Sequence, residues 1–179
     1  MNIRLAHVTD AAEIAKVHVK SWQQSYRGLV DNNYLSQMSV KEREQRWSEW
    51  LVQKSHIVLV LEDENHLCGF ISGGPIRSQH QYESEVYAFY LLKEVQQKGY
   101  GTRMLKRFSE ELLTLGKKSM IVWVLKDNPS KQAYISLGGK KIDEEKIMVG
   151  KQQLLEDCYA WDDIKFILTT SKESGNLNT

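Results

Sequence analysis

The segment SEVYAFYLLKEVQQKGYGTRMLKRFSEELLTLG, residues 84–116, constrains the fold more than any other part of the chain. It opens on aromatic and branched residues from Ser84 onward, a composition that predicts a strand buried on both faces. It then passes through Gly99 and Gly101 and continues with Met104, Leu105, Phe108, Leu112 and Leu115 on one helical side, with Gly116 as a stop. A strand feeding a glycine turn and then a helix builds an anion site. The first N–H groups of a helix lack partners within it, the helix dipole adds positive potential, and glycine lets the backbone approach a phosphate closely. A phosphate-bearing ligand is therefore expected at residues 96–102. A P-loop needs GxxxxGK[ST], and no Lys-Ser or Lys-Thr pair follows either glycine at that spacing. A dinucleotide fingerprint needs a third glycine where Met104 stands. The pattern that fits is QxxGxG, formed by Gln96, Gly99 and Gly101.

The rest of the chain alternates between the two periods. Residues 10–26 predict a helix capped by Asp10, with Ile14, Val17, His18, Ser21 and Trp22 at helical spacing, and Gly28 interrupts it. A second helix is expected over 40–52, capped by Ser39, with a charged KEREQR face and Trp47 and Leu51 turned inward. HIVLVLEDENHLCGFISG predicts two strands joined by a polar turn at 62–66, and Gly73, Gly74 and Pro75 end the pair. SMIVWVL, 119–125, is another buried strand. In DNPSKQAYISLGG, Asn128 suits a cap, Pro129 the first helical position, and Gly138 or Gly139 the end. Further strands are expected near 146–149 and 154–161. The order α, α, β, β, β, α, β, α, β, β gives one mixed α/β domain over residues 1–168, followed by a polar, frayed tail at 169–179.

Composition narrows the function. A net charge of +1 across 179 residues offers no cationic field for nucleic acid. No apolar run approaches a membrane span, and MNIRLAHVTD lacks the apolar core of a secretory signal. The two cysteines, Cys68 and Cys158, stand in strand-like surroundings outside any CxxC pattern and are expected to be reduced core thiols of a cytoplasmic protein. The five histidines show no ligand spacing, so no metal is expected.

With these motifs in hand, the chain resembles the GCN5-related N-acetyltransferases. YAFYLLKEVQQKGYGTRML is similar to that family's central strand and pyrophosphate loop. WVLKDNPSKQAYISLGG is similar to its next strand and helix, with Asn128, Ala133-Tyr134 and Leu137-Gly138 at the recurring positions, and IRLAHVTDAAEIAKVH to its first strand and helix. The resemblance spans roughly residues 2–165, with Gln97 where glycine is common and Gly139 where an aromatic usually follows Leu-Gly. It implies an α/β, mixed α+β fold: a single-domain acyl-CoA N-acyltransferase whose mixed central sheet is flanked by helices.

The resemblance also implies the chemistry: direct transfer of acetyl from acetyl-CoA to a primary amine of a small molecule or peptide, with no acyl-enzyme. Backbone N–H groups of Gln97, Lys98, Gly99, Tyr100, Gly101 and Thr102 would hold the pyrophosphate, with Lys98 either adding charge or simply solvated. The pantetheine would lie along Phe89, Tyr90 and Leu91, with an N–H near Leu91 facing the oxyanion. Asn128 and Ser130 are placed at the cofactor, Asn128 binding pantetheine or capping its helix. Tyr134 is the implied general acid, since a phenol titrates near 10 and stays protonated at neutral pH. Glu85 is the implied base, with Tyr87 and His18 as alternatives. Trp22, Tyr26 and Glu85 are candidates for the acceptor site, alongside His18 and Arg27, the aromatic residues being equally suited to a core. Glu83, Asp157, Asp162 and Asp163 are further acids able to attract a cation. The resemblance is compatible with a homodimer through the C-terminal strands. An acetyl-CoA-binding module without turnover is the alternative function.

Overall fold

The structure is a computed structural model describing residues 1–64 and 66–170. The expected tail lies outside the described residues from 171 onward, while Thr169 closes a short helix. The elements run β1 (Asn2–Leu5), α1 (Ala11–Ser25), α2 (Asn32–Ser36), α3 (Val40–Leu51), β2 (Ile57–Asp63), β3 (His66–Pro75), β4 (Ser84–Leu91), α4 (Tyr100–Thr114), β5 (Met120–Leu125), α5 (Lys131–Ser136), β6 (Lys140–Val149), β7 (Gln152–Trp161) and α6 (Lys165–Thr169). The strands form one seven-stranded sheet in the order β1-β2-β3-β4-β5-β7-β6. Its neighbours are antiparallel except β4 and β5, which are parallel. Helix α4 makes the crossover between them. Among the described residues no helix is long and apolar enough to cross a membrane.

Side chains sort by strand parity into two cores. On one face Phe70 packs against Trp47 of α3 and His18 of α1, at centroid distances of 4.9 and 5.6 Å. On the other, α4 presents Met104, Leu105, Phe108 and Leu112, each at most 1% exposed. Gly73 is where that helix comes closest: a Cβ there would sit 2.6 Å from Phe108 Cζ and run into the Glu85 carbonyl. Gly73→Ala is therefore expected to cost about 3 kcal/mol, since close-packed neighbours cannot move aside freely. A melting temperature lower by about 6–12 °C would register that loss, and an unchanged one would show that β3 and α4 can part.

Several local expectations need correction. Asp10 does not cap α1. Its carboxylate accepts from Arg4 Nη1 at 2.7 Å, Arg4 Nη2 at 3.1 Å and the His7 N–H at 2.7 Å, so it ties β1 to the helix entry instead. Ser39 does cap α3, accepting from Glu42 N–H at 3.3 Å. Leu115 leaves the apolar stripe of α4 because it lies beyond the last turn, where it is 61% exposed. Strand β6 begins at Lys140, well before 146, although KKIDEEKI has no apolar alternation. It is an edge strand whose charged side chains face solvent. Strand β1 and helices α2 and α6 are four or five residues long and carry little periodic signal of their own. Tertiary packing holds helices too short to nucleate alone.

Candidate active site

Strands β4 and β5 pair only from Ser84↔Met120 to Val86↔Val122. Beyond that they part, β4 continuing to Leu91 and β5 to Leu125. One edge of β4 is thus left without a partner strand, and this corrects the expectation of a strand buried on both sides: Ser84–Val86 are buried, Tyr87–Leu91 only half-buried. Two cavities meet at the gap. The larger, about 610 Å³, lies beside the 96–102 turn and the start of α5. The smaller, about 430 Å³, lies beside the end of α1 and strands β6 and β7. Val86, Tyr87, Tyr90, Trp123, Val124 and Tyr26 line both.

The turn before α4 has the geometry of an anion cradle. Gln97 and Gly99 take left-handed backbone angles, φ 59° and 83°, and alternation of this kind turns successive N–H groups toward one concavity. Gly99 is the N-cap of α4, whose first N–H groups have no acceptor within the helix. Gln97, Gly99, Gly101 and Thr102 line the larger cavity, as do Phe89, Tyr90 and Leu91. A Cβ on Gly101 would stand 3.5 Å from Leu91 and 3.8 Å from Phe89, directly between the helix start and β4. Gln96 lines the cavity as well and braces the turn: its Nε2 donates to the Leu91 carbonyl at 2.8 Å and to Ser25 Oγ at 3.4 Å. The side chains of Lys98 and Tyr100 do not line the cavity. Lys98 is exposed, and Tyr100 lies under Arg103 at 5.6 Å. Lys93, absent from the sequence reading, does line it.

Across the gap, Tyr134 is 7% exposed and lines the larger cavity. Its ring packs against Tyr159 and Trp161 at 6.4 and 6.2 Å, and the Trp161 indole donates to the Leu137 carbonyl at 2.8 Å, fixing the end of α5. Burial, with Tyr90 nearby, pushes the Tyr134 phenol well above its ordinary value, so it stays protonated through neutrality. Asn128 and Ser130 also line the cavity. The N-cap of α5 is Ser130, not Asn128. Asn128 Oδ1 accepts from the Ser130 N–H at 2.9 Å, two residues too early to cap α5, because the chain first makes a tight turn through Pro129.

The smaller cavity mixes aromatic and acidic walls. Trp22 and Tyr26, 4.8 Å apart, close one side with Tyr90. Glu85 reaches it because of a bulge. Ala88 opposes Ser72 but Val86 opposes Gly73, so Tyr87 is the extra residue and Glu85 swings to the same face as Tyr90. Both Glu85 oxygens are occupied: Arg77 donates from Nη2 and Nε to Oε1 at 2.6 and 3.2 Å, and from its backbone N–H to Oε2 at 3.0 Å. Arg77 also sits 3.8 Å over the Tyr87 ring, whose hydroxyl donates to the Pro75 carbonyl.

Other candidates lie elsewhere. His18 is a core residue: it accepts from Trp47 Nε1 at 3.3 Å, and burial pulls its pKa down to about 3. Arg27 points to solvent. Glu83 accepts from the Lys118 N–H at 2.5 Å, Asp157 pairs with Lys141 at 2.6 Å, Asp162 accepts from Tyr82 at 3.1 Å and Asp163 from the Lys165 N–H at 2.9 Å. None of the four lines the cavity. The acids that do, besides Glu85, are Glu145 and Glu156. Sequence held a signal for Glu156. In QQLLEDCYAW alternate residues Leu154, Glu156, Cys158 and Ala160 share a face, and one acid on an otherwise apolar face is anomalous. Both cysteines are free. Burial pushes the Cys158 thiol up to about 12 and raises Cys68, the opposite of an activated nucleophile.

Comparison with known proteins agrees with this geometry. The family model described as FR47-like protein matches residues 76–148, from the segment after β3 into β6. The Uncharacterized N-acetyltransferase YuaI of Bacillus subtilis (strain 168) is 36% identical over 171 residues, covering 94% of this chain and 97% of that protein. Among solved structures, YncA from Salmonella typhimurium, a putative acetyltransferase with its cofactor acetyl-CoA, superposes with a TM-score of 0.70 at 22% identity, covering 90% of this chain and 92% of that one. The PaiA N-acetyltransferase of Thermoplasma acidophilum, in complex with coenzyme A, gives 0.68 at 19% identity, covering 87% and 98%. A ribosomal-protein-alanine N-acetyltransferase from Brucella melitensis gives 0.71 at 20% identity, covering 90% and 99%.

Proposed function

Because this chain belongs to the GCN5-related N-acetyltransferase family and is an acetyl-CoA-dependent acyltransferase, we propose that it acetylates the primary amine of a small molecule or a peptide. The observation that carries this reading is the junction of two cavities through the β4/β5 gap, one cradled by backbone N–H groups and one walled by carboxylates. Acetyl-CoA brings an acyl group already activated as a thioester, which agrees with the absence of an activated thiol at Cys68 and Cys158.

The protein's own tasks are four. The turn over 97–102 holds the pyrophosphate, and the free edge of β4 at Phe89–Leu91 aligns the pantetheine. Such positioning makes the attack effectively intramolecular and supplies a large share of the rate. A backbone N–H near Leu91 faces the carbonyl oxygen. Tyr134 gives its phenolic proton to the departing sulfur. The acceptor enters from the smaller cavity, where Glu85, Glu145 and Glu156 outnumber Arg77 and favour a cation.

Thiol release from acetyl-CoA over a panel of small amines and short peptides tests the reading. Thiol release with at least one of these amines is expected. Thermal stabilisation by acetyl-CoA with no thiol release above background for any amine would instead establish a binding module without turnover.

A further inference from the structure

The proton acceptor for the amine is expected on β4, yet Glu85 has both oxygens engaged by Arg77. Both acceptor oxygens are thus already committed to that arginine, and taking a proton from an amine would mean giving up one of those contacts. Strand β7 carries another carboxylate in the same cavity. Glu156 lies opposite Leu125, the last residue of β5 and thus at the wide end of the gap, whereas Glu85 lies opposite Ile121, where β4 and β5 are still paired. Glu156 also lines the cavity with Tyr90 and Tyr26, which border both compartments. Across the hairpin its direct partner is Glu145. Like charges directly opposite on adjacent strands are destabilising, so this pairing carries a stability cost with no compensating contact. Glu156 forms no ion pair or hydrogen bond with another side chain among the described residues, and only burial and the charges of Glu145 and Glu85 act on it.

Resting on the acetyl-transfer reading, we infer that Glu156 is the general base of this protein, with Glu145 as the residue that tunes it. Glu156 takes one proton from the bound ammonium. The amine nitrogen then forms its bond to the acetyl carbon, the carbon–sulfur bond breaks, sulfur receives a proton from Tyr134, and the second nitrogen proton is lost, restoring Tyr134. One proton is released per turnover. The groups facing Glu156 are Glu145 on β6, Glu85, Tyr87 and Tyr90 on β4, Arg77 from the segment after β3, and Tyr26 at the end of α1. Burial and the two neighbouring carboxylates raise its pKa to about 7, suited to a base working near neutrality. Arg77 is bonded to Glu85 and not to Glu156, so burial and Glu145 lead the upward shift.

The test is the pH profile of kcat/KM for wild type, Glu156→Gln, Glu145→Gln and Glu85→Gln, with the amine that wild type turns over best. Wild type is expected to gain activity with pH through an acid limb near 7. Glu156→Gln should lose that limb and about 10²-fold in kcat/KM at pH 8, with Glu156→Asp recovering part of it. Glu145→Gln should keep the limb but move it to lower pH, because a neighbouring negative charge is gone; a residue needed only for packing would not produce that displacement. An acid limb kept in Glu156→Gln and abolished in Glu85→Gln would overturn the assignment and leave acetyl transfer intact. No turnover by wild type on any amine would instead remove the acetyl-transfer reading, and the base with it. Melting in each variant checks folding. Glu156→Gln should melt higher than wild type at pH 8 and close to it at pH 5. A carboxyl whose folded pKa is raised binds its proton more tightly when folded, so wild type loses stability as pH rises from the unfolded value toward 7.

Discussion

Tyr134→Phe is expected to lower kcat by about 10²-fold while leaving the KM for acetyl-CoA nearly unchanged, since general acid catalysis contributes at least that much and the ring stays in place. The geometry favours a separation of chemistry from binding. The Tyr134 ring is held by Tyr159 and Trp161, so phenylalanine keeps the packing and removes only the hydroxyl. That hydroxyl makes no hydrogen bond to another protein group among the described residues, so its removal strands no partner and should not lower the melting temperature. Equal losses in kcat and kcat/KM would mark an interaction made only in the transition state. A kcat unchanged within error would reduce Tyr134 to a wall of the cavity and hand the leaving proton to solvent.

Gly101→Glu is expected to abolish binding of acetyl-CoA without harming the fold. With acetyl-CoA at a hundredfold excess over its Kd, wild type should gain about 2.7 kcal/mol, which for a domain of this size is a rise of about 5–10 °C in melting temperature. At Gly101 a side chain starts between the helix and β4, 3.5 Å from Leu91, an ordinary packing distance that the free protein tolerates. A carboxylate in the first turn of α4 even favours the helix by about 0.3–1 kcal/mol. The same carboxylate occupies the cradle and repels a diphosphate. The two effects have opposite signs, so the variant should melt at or above the wild-type temperature alone and gain nothing from acetyl-CoA. A retained shift would move the pyrophosphate away from this turn. Competition with ATP or NAD in the same experiment separates acetyl-CoA from nucleotides in general.

The parts legible in the sequence are those whose cause is local. Gly99 takes φ 83° and Gly116 φ 74° at the two ends of α4, and both ends are visible as glycines flanking an amphipathic stripe. The strands β2–β5 and the helices α1, α3 and α4 announce themselves by period, because each buries one face or stripe along its own length. The QxxGxG turn, the unpaired helix start and Tyr134 come with them, since all belong to one strand–turn–helix or the next.

The smaller cavity was decided by tertiary structure. Regular alternation would have set Glu85 beside Phe89 and Leu91 and away from Tyr90. The extra residue at Tyr87 reverses that parity, and Arg77, eight positions away, then claims both carboxylate oxygens. Glu156 meets Glu145 only through the β6/β7 register, and shares a cavity with Glu85 only because β7, and not β6, is the strand next to β5. His18 and Lys98 went the other way: one is drawn into the Trp47 core and the other is left in solvent. Local sequence sets backbone angles, caps and periods, because those depend on a few neighbouring residues. Which carboxylates share one cavity depends on register between strands distant in the chain, and therefore on the packing of the whole sheet.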